Sequence, residues 1–266
     1  MEATLIAVAV LWGALAGTLL PRAAYRFSVE PEEPWRDACP AGHALTGPGR
    51  GWLGSTRCAA CAAAVPVFRG STVHGPAADE RESGRPRYAP AVIAPVVTVL
   101  ACAALAAATG LRPELAVWLL LTPVAVLLAV IDRRVHRLPD RLTLPLAGAA
   151  VLLLGGAALL PERGGSWTGA LLGGAALGGF YFLLFLINPN GMGFGDVKLA
   201  LALGVALGWY GWAVLCAGGF AGFLFGALYG FALILLRRAG RRTGIPFGPF
   251  MIAGALVGLL FGGLAA

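Results

Sequence analysis

The sequence predicts an all-α, polytopic membrane protein with about eight transmembrane helices and a small cytosolic loop domain. Hydrophobic residues make up 58% of the 266 positions, and charged residues make up only 12%. Several apolar runs reach the roughly 20 residues that a helix needs to cross about 30 Å of hydrocarbon. A soluble protein of this length would show a more mixed pattern of polar and apolar residues.

Eight apolar segments are the candidate spans. They cover residues 4–20, 90–109, 114–131, 144–160, 169–187, 197–210, 212–236 and 245–264. Trp and Tyr favour the membrane interface, so the cluster from Gly208 to Trp212 predicts a turn between the sixth and seventh spans. Glycines in 169–179 and 218–226 are expected to let neighbouring helices pack closely.

The first apolar segment differs from a secretory signal. Its N-terminal residues, Met-Glu-Ala-Thr, lack positive charge, and no Ala-x-Ala cleavage site leads into a secreted domain. We interpret it as a retained helix. The chain then divides into this first transmembrane helix (1–20), a cytosolic loop domain (21–89) and a seven-helix membrane domain (90–266).

The distribution of basic residues predicts the orientation. If the N-terminus lies outside, the cytosolic loops are 21–89, 132–143, 188–198 and 237–244. These loops hold 18 of the 20 Lys and Arg residues, as the positive-inside rule requires. The net charge of +7 follows from this topology, so the lipid bilayer is the expected environment and no nucleic-acid partner is needed.

Carboxylates are rare in the membrane domain. From residue 90 onward the acidic residues are Glu114, Asp132, Asp140, Glu162 and Asp196. Asp132 ends the third span and Asp196 begins the sixth, both on the predicted cytosolic side. A carboxylate at membrane depth is costly and is kept mainly where it has a function. If the two spans pack side by side, this pair predicts an aspartyl protease within the bilayer.

Two carboxylates in contact tend to share a proton, because both cannot ionise easily. The ionised partner can take a proton from water, which then attacks a peptide carbonyl, while the protonated partner stabilises the oxyanion. The pair titrates as a unit, so neither residue is assigned as the acid. Gly193 and Gly195, just before Asp196, are expected to allow unusual backbone angles and the close approach of a substrate.

Simpler roles for these carboxylates stay open at this point. Asp132 could pair with the arginines that follow it, Asp140 could start the fourth helix, and Asp196 could cap the sixth. A transporter or assembly scaffold could also use them as ion-binding or structural groups. Transporter sites usually lie near mid-membrane, whereas these acids lie at one edge, which favours proteolysis.

Several segments resemble the type IV prepilin peptidases, a family of membrane aspartyl proteases. They are Asp132 with the continuation Leu138-Pro-Asp140-x-Leu-Thr-Leu-Pro145, the run Gly193-Phe-Gly195-Asp196-Val-Lys198-Leu, and Pro246-Phe-Gly-Pro-Phe250. The segment from Gly17 to Arg26 is similar to the family's Gly-Ser-Phe-Leu-Asn-Val-x-x-Tyr-Arg, with Pro21 in place of Asn. Presenilin-like proteases share Gly-x-Gly-Asp but pair it with Tyr-Asp and Pro-Ala-Leu, and this chain has Ile-Asp132.

The resemblance implies that Asp132 and Asp196 are catalytic. The residues expected to support them are Gly193, Gly195, Asp140 and Lys198. It also implies that the chain removes the basic leader of prepilins or pseudopilins, usually after a glycine, at the cytosolic face of the bacterial inner membrane. Many members methylate the new N-terminal amine with S-adenosylmethionine, an activity linked to the first cytosolic loop.

Three of the five cysteines, Cys39, Cys58 and Cys61, lie in the loop domain. A reducing cytosol favours metal binding over disulfides. The family usually has two Cys-x-x-Cys pairs; here the first reads Cys39-Pro-Ala-Gly42-His43, so His43 can replace the missing thiolate. These four residues are predicted to bind a structural zinc ion, the alternative being three free thiols and a surface histidine. Little apolar packing is expected in a loop so rich in Pro, Gly and charge.

Overall fold

The structure, a computed structural model, describes most of the chain in six segments. The described residues are 2–30, 32–54, 56–63, 92–189, 191–236 and 245–266. The predictions for the second part of the loop domain (64–89), for the first two residues of the membrane domain (90–91) and for the basic loop 237–244 therefore lie outside the described residues.

The described segments are helical. Their elements are α1 (Glu2–Phe27), α2 (Pro48–Gly51), α3 (Ala59–Ala63), α4 (Ile93–Thr109), α5 (Glu114–Val135), α6 (Asp140–Ala157), α7 (Trp167–Ile187), α8 (Phe194–Trp209), α9 (Trp212–Leu235) and α10 (Gly248–Ala265). Within these segments no strand forms, and one isolated bridge joins Ala38 to Ala44. The prediction of an all-α polytopic membrane protein is confirmed.

Eight of the described helices, α1 and α4 to α10, lie where the eight spans were predicted. Six of them are long and apolar enough to cross a membrane, namely α1, α5, α6, α7, α9 and α10. The other two are shorter, with 17 residues in α4 and 16 in α8. Most of α8 is buried against α6, α7, α9 and α10, so it is shielded by protein rather than by lipid. The predicted turn before α9 is confirmed, with Gly211 at φ 101°.

Four helix ends extend beyond the predicted spans. α1 continues through Pro21 to Phe27, α5 continues to Val135, α6 begins at Asp140, and α8 begins at Phe194. Each of these predicted spans stopped where charged residues begin. Long charged side chains can reach water from a helix that has not yet ended, so the backbone stays helical further into the interface. Asp132 and Asp196 consequently lie in helical turns.

Glycines bring α7 and α8 into close contact. A Cβ atom at Gly173 would lie 2.5 Å from the carbonyl oxygen of Gly204, and one at Gly208 would lie 2.5 Å from that of Gly169. With no side chain between them, the two backbones pack directly against each other. The packing role predicted for the glycines of 169–179 is confirmed, and it holds the helix that carries Asp196.

A third buried carboxylate, besides Asp132 and Asp196, lies at the opposite end of the bundle. Glu114 begins α5 and is fully buried. Its Oε1 accepts hydrogen bonds from the N–H of Gly164 at 3.0 Å and from the hydroxyl of Tyr210 at 3.5 Å. The Trp118 indole donates to the same hydroxyl at 3.2 Å. These contacts tie α5 to the loop before α7 and to the end of α8.

Candidate active site and metal site

Asp132 and Asp196 lie close together at one end of the bundle. Asp132 occupies the last turn of α5 and Asp196 the first turn of α8, and the two residues are only 4% and 8% exposed. They are near enough for their charges to interact. A pair of carboxylates held together in this way can share one proton.

The start of α10 contributes a hydrogen bond to this pair. The backbone N–H of Gly248 donates to Oδ2 of Asp132 at 2.9 Å. Gly248 is the first residue of α10, whose N-terminus carries unpaired N–H groups and a partial positive charge. The hydrogen bond therefore joins α5 to the start of α10 and orients the Asp132 carboxylate. Sequence reasoning noted the Pro246–Phe250 segment only as part of the resemblance and assigned it no role in the site.

A cluster of aromatic side chains lies beside Asp196. Tyr181, in α7, is 1% exposed and close enough to Asp196 for the two groups to interact electrostatically. Its ring stacks on Phe223, with centroids 5.4 Å apart, and lies 6.2 Å from that of Phe247. Tyr181 therefore places an aromatic cluster on one side of the carboxylate. Nothing in the sequence distinguishes Tyr181, because it lies within an unbroken apolar run.

The two glycines of the Gly-x-Gly-Asp motif do not adopt angles reserved for glycine. Gly193 has φ −72° and ψ 142°, and Gly195 lies inside α8, so the expectation of unusual backbone angles is wrong. Gly195 is needed for space: a Cβ atom there would lie 2.9 Å from Cβ of Leu138. Leu138 can therefore pack directly on the first turn of α8, which places the Leu138-Pro-Asp140 segment beside the carboxylate pair.

Replacing Gly195 with alanine is expected to destabilise the protein by about 1–3 kcal/mol, because the added methyl group must push Leu138 away. The apparent unfolding temperature in detergent measures the change. Gly179→Ala in α7 is the matched control, since nothing lies within 4 Å of a Cβ atom at that position. Equal unfolding temperatures for the two variants would contradict the packing argument.

Asp140 and Lys198 join α6 to α8. The Lys198 ammonium lies 2.6 Å from Oδ1 of Asp140. Asp140 begins α6, which agrees with the alternative that it starts the fourth helix, and its ionic partner is Lys198 rather than the adjacent Arg141. The Arg141 guanidinium instead lies over the Trp35 ring, 4.6 Å from its centroid, and so connects α6 to the loop domain. The ion pair joins the start of α6, which follows Leu138, to the start of α8, which contains Asp196.

The predicted metal ligands meet in the loop domain. Their ligand atoms all lie within 4.8 Å of one another, in the set Cys39, His43, Cys58 and Cys61. Sγ of Cys39 is 3.7 Å from Sγ of Cys61 and 3.6 Å from Nδ1 of His43. Four ligands around zinc, with Zn–S near 2.3 Å, would place two sulfur atoms roughly 3.8 Å apart. The cluster has the size and the donor set that a tetrahedral metal ion requires.

Local structure explains how two short motifs present these four ligands. The chain reverses between Cys39 and His43, where the Cys39 N–H donates to the His43 carbonyl and Gly42 adopts φ 82°. Cys58 precedes α3 and Cys61 lies one turn into it, so both thiols face the same side. Glycine suits the left-handed turn at position 42, and the ligand follows one residue later at His43.

The thiols of the cluster differ in acidity. Burial alone would raise the pKa of Cys39, but the backbone groups of Ala41 and His43 and the side chains of His43 and Cys61 outweigh it and lower this pKa to about 6. Burial, hydrogen bonds to Cys58 and Cys39 and their negative charge raise the pKa of Cys61 to about 11. One thiolate thus forms readily, and each further thiolate needs a compensating positive charge, which a metal ion supplies.

The described part of the loop domain also packs through aromatic side chains, contrary to the expectation of little apolar packing. The rings of Phe27, Trp35 and Trp52 lie 4.7–5.2 Å apart, centroid to centroid. The Arg26 guanidinium lies 4.1 Å from the centroid of Trp52, and the Tyr25 hydroxyl donates to the Ala38 carbonyl at 3.4 Å. The end of α1 is therefore the platform on which the loop folds.

Known proteins are similar in sequence to the part of this chain that carries the two carboxylates. Residues 119–236 match the type IV leader peptidase family. A prepilin leader peptidase/N-methyltransferase from Aeromonas salmonicida (strain A449) is 42% identical over 147 residues, covering 54% of this chain and 48% of that protein. The Bacillus subtilis (strain 168) protein of the same name is 34% identical over 174 residues, covering 64% of this chain and 65% of that protein.

The chain spans about half the length of the first curated relatives that it matches. No solved structure matches it. The family match covers α8 with the Gly-x-Gly-Asp motif and most of α5 with Asp132, which are the two elements that carry the buried carboxylates. The part of the chain that contains both carboxylates is similar to the type IV leader peptidase family.

Proposed function

We propose that this protein is a membrane-embedded aspartyl endopeptidase that removes the basic leader peptide from prepilins or pseudopilins. The observation that carries the proposal is the pair of buried carboxylates, Asp132 and Asp196, on two separate helices at one end of an apolar bundle. Relatives named prepilin leader peptidase/N-methyltransferase support the choice of substrate. Neither a transporter nor another class of membrane protease gains support from a specific contact.

The carboxylate pair activates a water molecule. The ionised carboxylate takes a proton from water as the water oxygen attacks the carbonyl carbon of the peptide bond, and the protonated carboxyl donates a hydrogen bond to the oxyanion. When the carbon–nitrogen bond breaks, the leaving amine takes a proton from the pair. The hydrogen bond from the Gly248 N–H holds Oδ2 of Asp132 in place before the reaction begins.

The experiment that tests this function is cleavage of a prepilin-like substrate by the purified protein in detergent. The substrate carries a basic leader, a glycine at the cleavage site and an apolar helix, and mass spectrometry identifies the product. We expect a single cut after the leader glycine. If well-folded protein cleaves none of several leaders, the substrate assignment is wrong and another protease substrate or a non-enzymatic role takes its place.

We propose that the protein is a multi-pass protein of the bacterial inner membrane, with its N-terminus outside and its carboxylate pair facing the cytosol. The charge asymmetry supports this orientation, since only Arg112 and Arg163 would face outward. The division into a first helix (1–20), a loop domain (21–89) and a membrane domain (90–266) belongs to the same proposal. The first two parts meet in the structure, because α1 continues to Phe27 and carries the loop on its end.

A structural zinc ion is the metal that we propose for the loop domain. The donor set of three thiols and one imidazole suits zinc, and the spacing of the sulfur atoms agrees with tetrahedral coordination. Zinc would be held by Cys39, His43, Cys58 and Cys61, and would cross-link the turn after Cys39 to the start of α3. The site is closed by four protein ligands, which indicates a structural rather than a catalytic ion.

N-methylation would need S-adenosylmethionine, and we propose a pocket for it between the loop domain and the start of α6. This pocket of about 330 Å³ is lined by Phe27, Trp35, Arg137, Leu138, Pro139, Asp140 and Arg141. Aromatic faces attract a sulfonium cation, and arginines bind a carboxylate. When bound, S-adenosylmethionine would supply the methyl group and these residues would hold it. Leu138 and Asp140 belong both to the pocket lining and to the segment beside the carboxylate pair.

Trp35→Ala is expected to reduce methylation of the new N-terminus about tenfold or more, because the pocket loses an aromatic ring and the surface on which the Arg141 guanidinium lies. Cleavage of the same substrate should stay near the wild-type rate. Both reactions are measured in one sample, as the leader released and as the mass of one methyl group added to the product. Methylation that persists at the wild-type rate would remove Trp35 from the proposed pocket.

A further inference from the structure

An apolar groove of about 310 Å³ lies among α4, α5 and α10. Its rim includes Val97, which is 44% exposed, and its floor includes the buried residues Ala150 of α6 and Ala202 of α8. Thr122 is one of its few polar side chains, and its hydroxyl is already bonded to the Trp118 carbonyl at 2.7 Å. The groove therefore offers a surface suited to an apolar partner inside the membrane.

One end of the groove is lined by residues adjacent in the chain to the carboxylate site. Arg133, the residue after Asp132, lines one end. Pro249 also lines the groove, and it follows Gly248, whose N–H donates to Asp132. A helix lying in the groove would thus have one end near Asp132.

The dimensions and walls of the groove suit one face of a helix. Along α5 it extends from Trp118 to Arg133, roughly 22 Å at 1.5 Å per residue. Its lining contains alanines from α4, α5, α6, α8 and α10: Ala94, Ala101, Ala125, Ala129, Ala150, Ala202, Ala206, Ala253 and Ala255. Small residues let a helix approach closely, and this volume takes the side chains along one ridge rather than a whole helix.

We propose that this groove binds the apolar helix of the protein substrate, so that the peptide bond preceding the helix reaches Asp132 and Asp196. The inference rests on the proposed protease function and names the surface that selects its substrate. Recognition is of the helix-in-groove type, in which large apolar side chains spaced i, i+3 or i+4 and i+7 enter the alanine-lined channel. A lipid chain is the competing occupant, because the groove faces the hydrocarbon.

Photo-crosslinking tests occupancy without depending on catalysis. A photoreactive phenylalanine replaces Val97 on α4 or Ile252 on α10, in protein that also carries Asp132→Asn and Asp196→Asn. The control site is Phe220 on α9, which is 68% exposed and outside the groove. The probes are a membrane-inserted substrate with a basic leader and an apolar helix, and an alkyne-tagged phospholipid.

We expect the substrate to crosslink at Val97 and Ile252 and not at Phe220. Crosslinks only to lipid at the two groove sites, or equal substrate crosslinking at all three, would overturn the groove proposal. Because the assay detects binding, its failure is separate from a failure of the protease assignment, which would show instead as wild-type protein that cleaves no leader.

Filling the groove provides a kinetic test in active protein. Ala125→Leu and Ala253→Leu are each expected to raise the KM for the helix-bearing substrate about tenfold, with little change in kcat, because the added side chain occupies the space of a substrate residue. Ala217→Leu, at an exposed position of α9, is the matched control. A short peptide that ends soon after the cleavage site should be cut equally well by all of these proteins. Unchanged KM for the helix-bearing substrate in both groove variants would contradict the proposal.

Discussion

Asp132→Asn and Asp196→Asn are each expected to lower the rate of leader cleavage by about 10²–10⁴-fold, the range in which a positioned acid or base contributes to catalysis. Asparagine keeps the size of the side chain but can neither take a proton from water nor pass one to the leaving amine. The effect should appear in kcat, whereas binding of the substrate should change little. The measurement is the initial rate of leader release by each purified variant.

The opposite end of the bundle supplies the control for this experiment. Glu114→Gln also removes a buried carboxylate from α5, but its amide oxygen can still accept the hydrogen bond from the Gly164 N–H. We expect this variant to cleave at close to the wild-type rate. Loss of activity in Glu114→Gln as severe as in the Asp variants would mean that buried charge supports folding in general. Activity that survives in either Asp variant would exclude that residue from the catalytic pair.

Purified protein is expected to contain about one zinc ion per chain, and Cys58→Ser should lose most of it. Cys58 is buried beside Cys39, so the substitution removes a ligand and leaves the remaining thiolates without a compensating charge. The loop domain should then open, and proteolysis within residues 32–63 should become about tenfold faster or more. Elemental analysis and limited proteolysis measure the two effects.

A thiol elsewhere in the chain controls for the loss of a cysteine. Cys216 lies on the exposed face of α9, outside the cluster, so Cys216→Ser should keep the zinc content and the protease resistance of the wild type. The aromatic contacts of Phe27, Trp35 and Trp52 do not involve the metal, so the rest of the protein should stay folded in Cys58→Ser. Protein that carries well under one zinc, together with an unchanged Cys58→Ser variant, would rule out the metal site.

The carboxylate pair could be predicted from the sequence because charged residues are rare in a membrane domain. Asp132 and Asp196 are conspicuous against long apolar runs, so their position alone marks them. Gly248 and Tyr181 could not be found in this way. Gly248 acts through its backbone N–H, which every residue except proline possesses, and Tyr181 is one aromatic side chain among several in an apolar helix.

At the metal site too, the sequence indicates the residue types, whereas the backbone geometry that brings them together appears only in the structure. The residue types at Cys39, His43, Cys58 and Cys61 suggested a metal site, because thiols and imidazoles in a reducing compartment are typical of one. Whether a displaced histidine could stand in for a cysteine depended on the turn at Gly42, a backbone property that the sequence spacing alone does not determine. The apolar packing of the loop could not be predicted from the sequence. Phe27, Trp35 and Trp52 are dispersed along the chain and meet only after the loop folds onto α1.

The sequence by itself determined the class of the protein, since the length and apolarity of its helices depend on local composition and on the thickness of a bilayer. It also indicated which carboxylates and thiols are candidates for chemistry, because such groups are expensive or reactive in their surroundings. Only the tertiary structure decided what each residue contacts: Gly195 against Leu138, Lys198 against Asp140, Gly248 against Asp132, and the alanines of five helices around one groove. These contacts join residues far apart in the chain, and close packing of helices is what brings them together.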